Sequence, residues 1–234
     1  MFRMMRRDWQ FRRAVLPLGA MLLFVLPAIL RTALEKSPFN GAPVAVGLLP
    51  ELLPLGVFLM VSVLAYSDHF RGAWVFATAS RDGRRGFVRG VYWSLWLPFL
   101  ALPFGAMAVV FSRTWGIIDA TLFAAYGLSV ASALLAVQMF FVEGLPFARP
   151  PRPERLHILL PFLLLGPIVL GIAWFVQGRF IFHSRVITLA ASVMCATAAV
   201  VIARLTLAGL DARVHAELEQ QGGVPARMLE RTVQ

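Results

Sequence analysis

Long apolar runs decide what this chain can fold into. Six of them follow one another: about Ala14 to Leu30, Val44 to Tyr66, Val91 to Phe111, Ile117 to Val142, His157 to Val176 and Val186 to Leu210. Each holds roughly 17 to 26 residues, enough for a helix to cross a hydrocarbon core of about 30 Å. Lipid offers the backbone no hydrogen-bond partners, so spanning segments of this length must satisfy their own N–H and C=O groups as helices. Composition agrees: 59% of the 234 residues are hydrophobic, 15% are charged and the mean hydropathy is +0.75. A soluble domain carries about 25% charged residues. The expected fold class is therefore all-α, a polytopic membrane protein of six transmembrane helices. An ordinary water-soluble enzyme, a disordered tail and a coiled coil are excluded. The first run lacks a small-x-small cleavage site and more spans follow it, so it reads as a retained helix rather than a signal peptide.

Arginine placement gives the expected orientation. Basic residues at the N-terminus, after the second run, after the fourth run and towards the C-terminus number seventeen, among them Arg3, Arg13, Arg81, Arg89, Arg152 and Arg204. The opposite side carries five: Arg31, Lys36, Arg113, Arg179 and Arg185. The positive-inside rule then places both termini in the cytoplasm, and an even number of spans requires them on one side. In a chain this apolar, a net charge of +10 marks cytoplasmic loops and not a nucleic-acid footprint. The expected location is a bacterial-type inner (plasma) membrane. Tyr66, Tyr92 and Trp93 fall near one interface and Trp115 and Trp174 near the other, where aromatic rings anchor helices.

The organisation has three parts. Residues 1–13, MFRMMRRDWQFRR, place Phe2, Met5 and Trp9 on one helical face with arginines on the other. This is an interfacial amphipathic helix on an anionic leaflet, or equally a topology anchor. Residues 14–210 form the six-span domain. Residues 211–234 are a polar tail with a Gly-Gly break, read as a short helix and a frayed end.

Several chemistries lack their residues. A nucleotide-binding P-loop needs GxxxxGK[ST], and the only lysine is Lys36 in LEKSPFNG. The chain is not expected to be an enzyme, and any ATP would be handled by another subunit. His69, His157, His183 and His215 are isolated from one another, so no HExxH zinc site forms. The single cysteine, Cys195, excludes an internal disulfide or a CxxC site. No cofactor or metal is expected. An intramembrane protease built on Ser129 or Ser132 with His183 has no nucleophile motif to support it. Among acidic residues only Glu51, flanked by Pro50 and Pro54 in the outer part of the second run, is a candidate for a transport pathway; an interfacial residue at a kinked helix start is the plainer reading.

The cytoplasmic loop 67–90 is the most distinctive stretch. Phe70, Ala73, Trp74 and Ala77 recur at helical spacing, and Arg-Asp-Gly-Arg-Arg over 81–85 reads as a turn. An aromatic anchor among arginines suits a protein interface, and a lipid-lying basic loop is the other reading. This pattern resembles the permease domain of type-2 ABC exporters. The resemblance rests on Ser67-Asp68, Gly72, Trp74-Val75-Phe76, Thr78-Ala79-Ser80-Arg81 and Arg89-Gly90, and on Arg7-Asp8-Trp9-Gln10-Phe11-Arg12 before the first span. It implies a transport subunit that pairs with an ATP-binding subunit in trans and with a second permease chain, as a homo- or heterodimer, in the lipid bilayer. It also implies that Phe70, Arg71, Trp74, Phe76, Arg81 and Arg84 couple the loop to the ATPase. The substrate is unspecified and can be hydrophobic. The alternative is a non-catalytic accessory or scaffold subunit that binds its partner through the same loop.

Overall fold

The computed structural model describes residues 36–40, 49–62, 80–142 and 171–220, together with the single positions 27, 31, 34, 47 and 64; side chains are described for these except at 59, 62, 81 and 210–220. The described residues form helices and connecting turns, without strands. A 3-10 turn covers Pro38–Asn40, and α1 covers Leu49–Ser62. Helix α2, Arg81–Trp96, passes through a π-helical turn at Leu97–Ala101 into α3, Leu102–Trp115. Helix α4 covers Ile117–Phe141. A helical stretch at 171–176 continues as a π-helical turn, Gln177–Ile181, before α5, Arg185–Gln220.

Three stretches are long and apolar enough to cross a bilayer: Asp82–Trp115, Ile117–Phe141 and Arg185–Gly209. They coincide with the expected third, fourth and sixth runs. The expected second run is represented by α1, whose 14 residues give a helix of about 21 Å. The first run and the amphipathic segment 1–13 lie outside the described residues, apart from Pro27 in the run, and the fifth run is described only from 171.

One expectation is corrected. Residues 81–85 are the first turns of α2 and not a turn between elements. Ser80 caps this helix: its Oγ accepts from the Gly83 N–H (3.2 Å) and its carbonyl from the Arg84 N–H (3.0 Å). Asp82 in the first turn complements the helix dipole, and together these offset the intrinsic cost of Gly83. Beyond Leu210, where a short helix is expected in the polar tail, α5 continues without interruption to Gln220. Hydropathy marks where lipid ends, and the helix-forming Ala, Glu and Leu residues beyond it carry the helix onward.

The π turn at Leu97–Ala101 has a local cause. Pro98 and Pro103 cannot donate backbone N–H bonds, and the helix widens so that the Leu102 N–H reaches the Leu97 carbonyl five residues back. The reversal from α3 to α4 needs a single residue, Gly116, at φ +88° and ψ 157°, a region open essentially to glycine alone.

Helix α4 is the centre of the bundle, with α5, α3 and α1 against it. Its buried face mixes large side chains, Phe123, Tyr126, Leu135 and Met139, with the small residues Ala120, Ala124, Gly127, Ala131 and Ala136, which let neighbours approach closely. Gly127 is required by Phe104 of α3, whose ring carbon lies 2.4 Å from where a Cβ would stand. Helix α5 presents buried Thr188, Ser192, Ala199 and Thr206 inward. Its three inward hydroxyls each donate to a carbonyl four residues back, which removes their polarity from the interface. The outward face of α5, with Val186, Val193, Met194, Val201 and Leu205, is exposed and apolar, as a lipid-facing helix requires.

Candidate functional site

Among the described residues, two buried carboxyl groups hold together elements that are distant in sequence. The first is at the start of α4. Asp119, in its first turn, is 3% exposed. Its Oδ1 accepts from Arg185 Nε at 2.8 Å, and its Oδ2 accepts from Ser37 Oγ at 3.0 Å. Ser37 Oγ in turn accepts from the Phe39 N–H at 3.1 Å. Asp119 near a helix N-terminus is favoured by the dipole, and it neutralises Arg185 at the N-terminus of α5, where a cation is disfavoured. The carboxylate therefore ties the start of α5 and the 36–40 segment to α4. Beside it lies an aromatic cluster. Phe111 stacks on Trp115 (4.1 Å), and Phe182 meets Phe39, Phe123 and Tyr126 at centroid distances of 5.8, 5.7 and 5.4 Å.

The second contact lies inside the bundle. Gln177 Nε2 donates to Glu51 Oε1, joining α1 to the π turn before α5. Glu51 is 8% and Gln177 3% exposed. Gln177 Oε1 has no hydrogen-bond partner. Glu51 lies in the first turn of α1, where the helix dipole favours a carboxylate, but it is buried there, and burying an ionisable group is costly; π turns recur at functional sites because they aim one side chain out of helical register. A buried carboxyl with a neutral amide partner can exchange a proton, or release the amide to an incoming polar group. This pair is the candidate site.

Of the residues singled out in the sequence, Glu51 is thus buried within the bundle. Arg81 begins α2, and Arg84 is half-buried three residues on. Phe70, Arg71, Trp74 and Phe76 lie outside the described residues. Gln177, expected in an outer connection, is buried instead, and it is the partner of Glu51 that sequence reasoning missed; the only signal was an amide directly after the apolar run AWFV. The serines and the histidine considered for a protease do not meet. Ser129 and Ser132 donate to the Ala125 and Leu128 carbonyls. Ser132 is thirteen residues, about 20 Å, along α4 from Asp119, whereas His183 is exposed and two residues from Arg185, which touches Asp119. Compared with protein-family models, with curated protein sequences and with solved structures, the chain finds no match.

Proposed function

We propose that the chain is the transmembrane permease subunit of an ABC-type exporter, with six spans and both termini in the cytoplasm of a bacterial-type inner membrane. It works with a separate ATP-binding subunit and a second permease chain. The observation that supports this is the continuity of α2. The helix begins at the capped Ser80, directly after the aromatic segment 70–77, and its arginine-rich first turns belong to the same rod that enters the bundle. A displacement applied at 70–85 is passed along that rod to the π turn at Leu97–Ala101, which lies against α1 and α4. ATP-driven closure of the partner then biases two packings of the bundle, and Glu51 with Gln177 is the polar point at which such a change is felt.

The test is co-purification of the tagged chain in mild detergent, beside the variant Trp74→Glu/Arg84→Glu. A stoichiometric ATPase that is lost in the variant is expected. Retention of another membrane protein with no ATPase in either sample overturns the transport reading and leaves an accessory subunit.

A further inference from the structure

At the end of the bundle remote from Asp119, a cavity of about 580 Å³ opens between α2, α4 and α5. Its volume is in the range of small-molecule sites, which run to roughly 300–1,000 Å³. One wall is a face of α2 formed by Arg89, Trp93 and Trp96, at i, i+4 and i+7. The facing wall is a stripe of α5 in which Ala199 and Ala203 leave space and Arg204 supplies charge. The two arginines come from different helices to the same opening. Both are exposed, and neither has an acidic partner among the described residues.

The level of this opening follows from helix geometry. Arg204 is nineteen residues beyond Arg185 on α5, a rise of about 29 Å, which matches a hydrocarbon core of about 30 Å. With Arg185 and Asp119 at one boundary, Arg204 and Arg89 stand at the other, where phosphate headgroups lie. From there the cavity continues towards the membrane centre: Trp96 is seven residues, about 10 Å, past Arg89. Trp93 is 57% exposed with its ring edge-on to Trp96 (5.1 Å), so the two indoles form an apolar wall that faces outward. The result is cationic at headgroup depth and apolar below it.

We infer that this groove binds an anionic glycerophospholipid of the surrounding leaflet, its phosphate between Arg89 and Arg204 and an acyl chain along Trp93, Trp96 and the α5 alanines. Guanidinium groups bind phosphate oxygens through paired N–H donors, and two of them compensate the charge that a zwitterionic headgroup would itself neutralise. Alanines at 199 and 203 are needed because larger side chains would fill the space the chain occupies. This inference is independent of the transport reading.

The test is native mass spectrometry of the full chain in detergent, titrated with phosphatidylglycerol or with phosphatidylcholine of the same acyl chains. One retained phosphatidylglycerol is expected at concentrations roughly tenfold below those needed for phosphatidylcholine. Arg89→Gln/Arg204→Gln should abolish that preference, and Arg89→Lys/Arg204→Lys should keep part of it, which also shows that the site survives substitution. Ala203→Trp should lower retention with both arginines in place. Arg227→Gln/Arg231→Gln removes the same charge from the tail and should change nothing. Equal retention of the two lipids by the unaltered chain, or a preference lost as fully in the tail variant as in the groove variant, overturns the inference.

Discussion

At one end of the bundle Arg185 rests on the buried Asp119 carboxylate, Ser37 closes the second oxygen, and packed rings surround Phe182. At the other, Arg89 and Arg204 face a cavity with no acidic group among the described residues that line it. The same residue type therefore does two jobs. Where arginine meets a carboxylate it fixes one helix against another, and its loss strands a buried charge. Where it meets none among the described residues, it is exposed, and its loss strands no buried charge in the protein. A buried partner, more than position along an apolar run, determines whether an arginine in a membrane helix is structural.

That contrast gives the largest expected effect. Arg185→Ala leaves Asp119 buried with Ser37 alone. Losing one member of a buried pair costs roughly 3–5 kcal/mol; the Arg185 side chain is 58% exposed, and solvent screening lowers this to about 2–3 kcal/mol. Arg204→Ala should stay within about 0.5 kcal/mol of the unaltered chain, as surface substitutions do. Unfolding from mild detergent into sodium dodecyl sulfate, followed by helical circular dichroism, measures both. Equal losses at the two positions would abolish the distinction between the ends.

The next effect sharpens the comparison from the packing side. Gly127→Ala places a Cβ 2.4 Å from the Phe104 ring, which is 1% exposed and must shift within a packed interior. Overpacking of this kind costs about 1–3 kcal/mol. Ala203→Gly, at the open end, should change stability by less than about 1 kcal/mol, the propensity difference between the two residues. The same unfolding measurement reads both; a tolerated Gly127→Ala would mean that the α3–α4 contact is looser than its geometry.

These differences also explain which features could be read from the sequence. The limits of α4 were legible to within one residue, because Gly116 is the only residue type suited to a one-residue reversal and the apolar run stops with the helix. The common end of Asp119 and Arg185 was implied by their places at the starts of the fourth and sixth runs. Their contact was not, since hydropathy reports that a segment meets lipid and says nothing about which neighbour it meets. Glu51 and Gln177 are separated by 126 residues, and a glutamine in the sequence FVQG looks like the beginning of a loop until the π turn folds it inward. The stretch 81–85 looked like a turn because Gly83 and four charges break the apolar pattern; the Ser80 cap, worth about 1 kcal/mol, outweighs that signal. A helix beyond Leu210 was expected, but its continuity with α5 was not legible, because the last turns are polar and hydropathy ends before the helix does.

The smallest effect concerns the hydrogen bond that crosses the open end. Trp96 Nε1 of α2 donates to Ser132 Oγ of α4 at 2.7 Å, and the same hydroxyl donates to the Leu128 carbonyl at 2.6 Å. The two partners are not equivalent. Trp96→Phe removes the indole N–H and leaves Ser132 satisfied by Leu128, so the cost is that of one net hydrogen bond, about 0.5–1 kcal/mol. Ser132→Ala leaves a half-buried N–H without its acceptor, and the cost rises to about 1–2 kcal/mol. The order of the two variants is thus the informative result. If Trp96→Phe is the more harmful, then it is indole packing at the cavity wall, and not the bond to Ser132, that holds α2 against α4, and the open end resembles the aromatic end more closely than its unpaired arginines suggest.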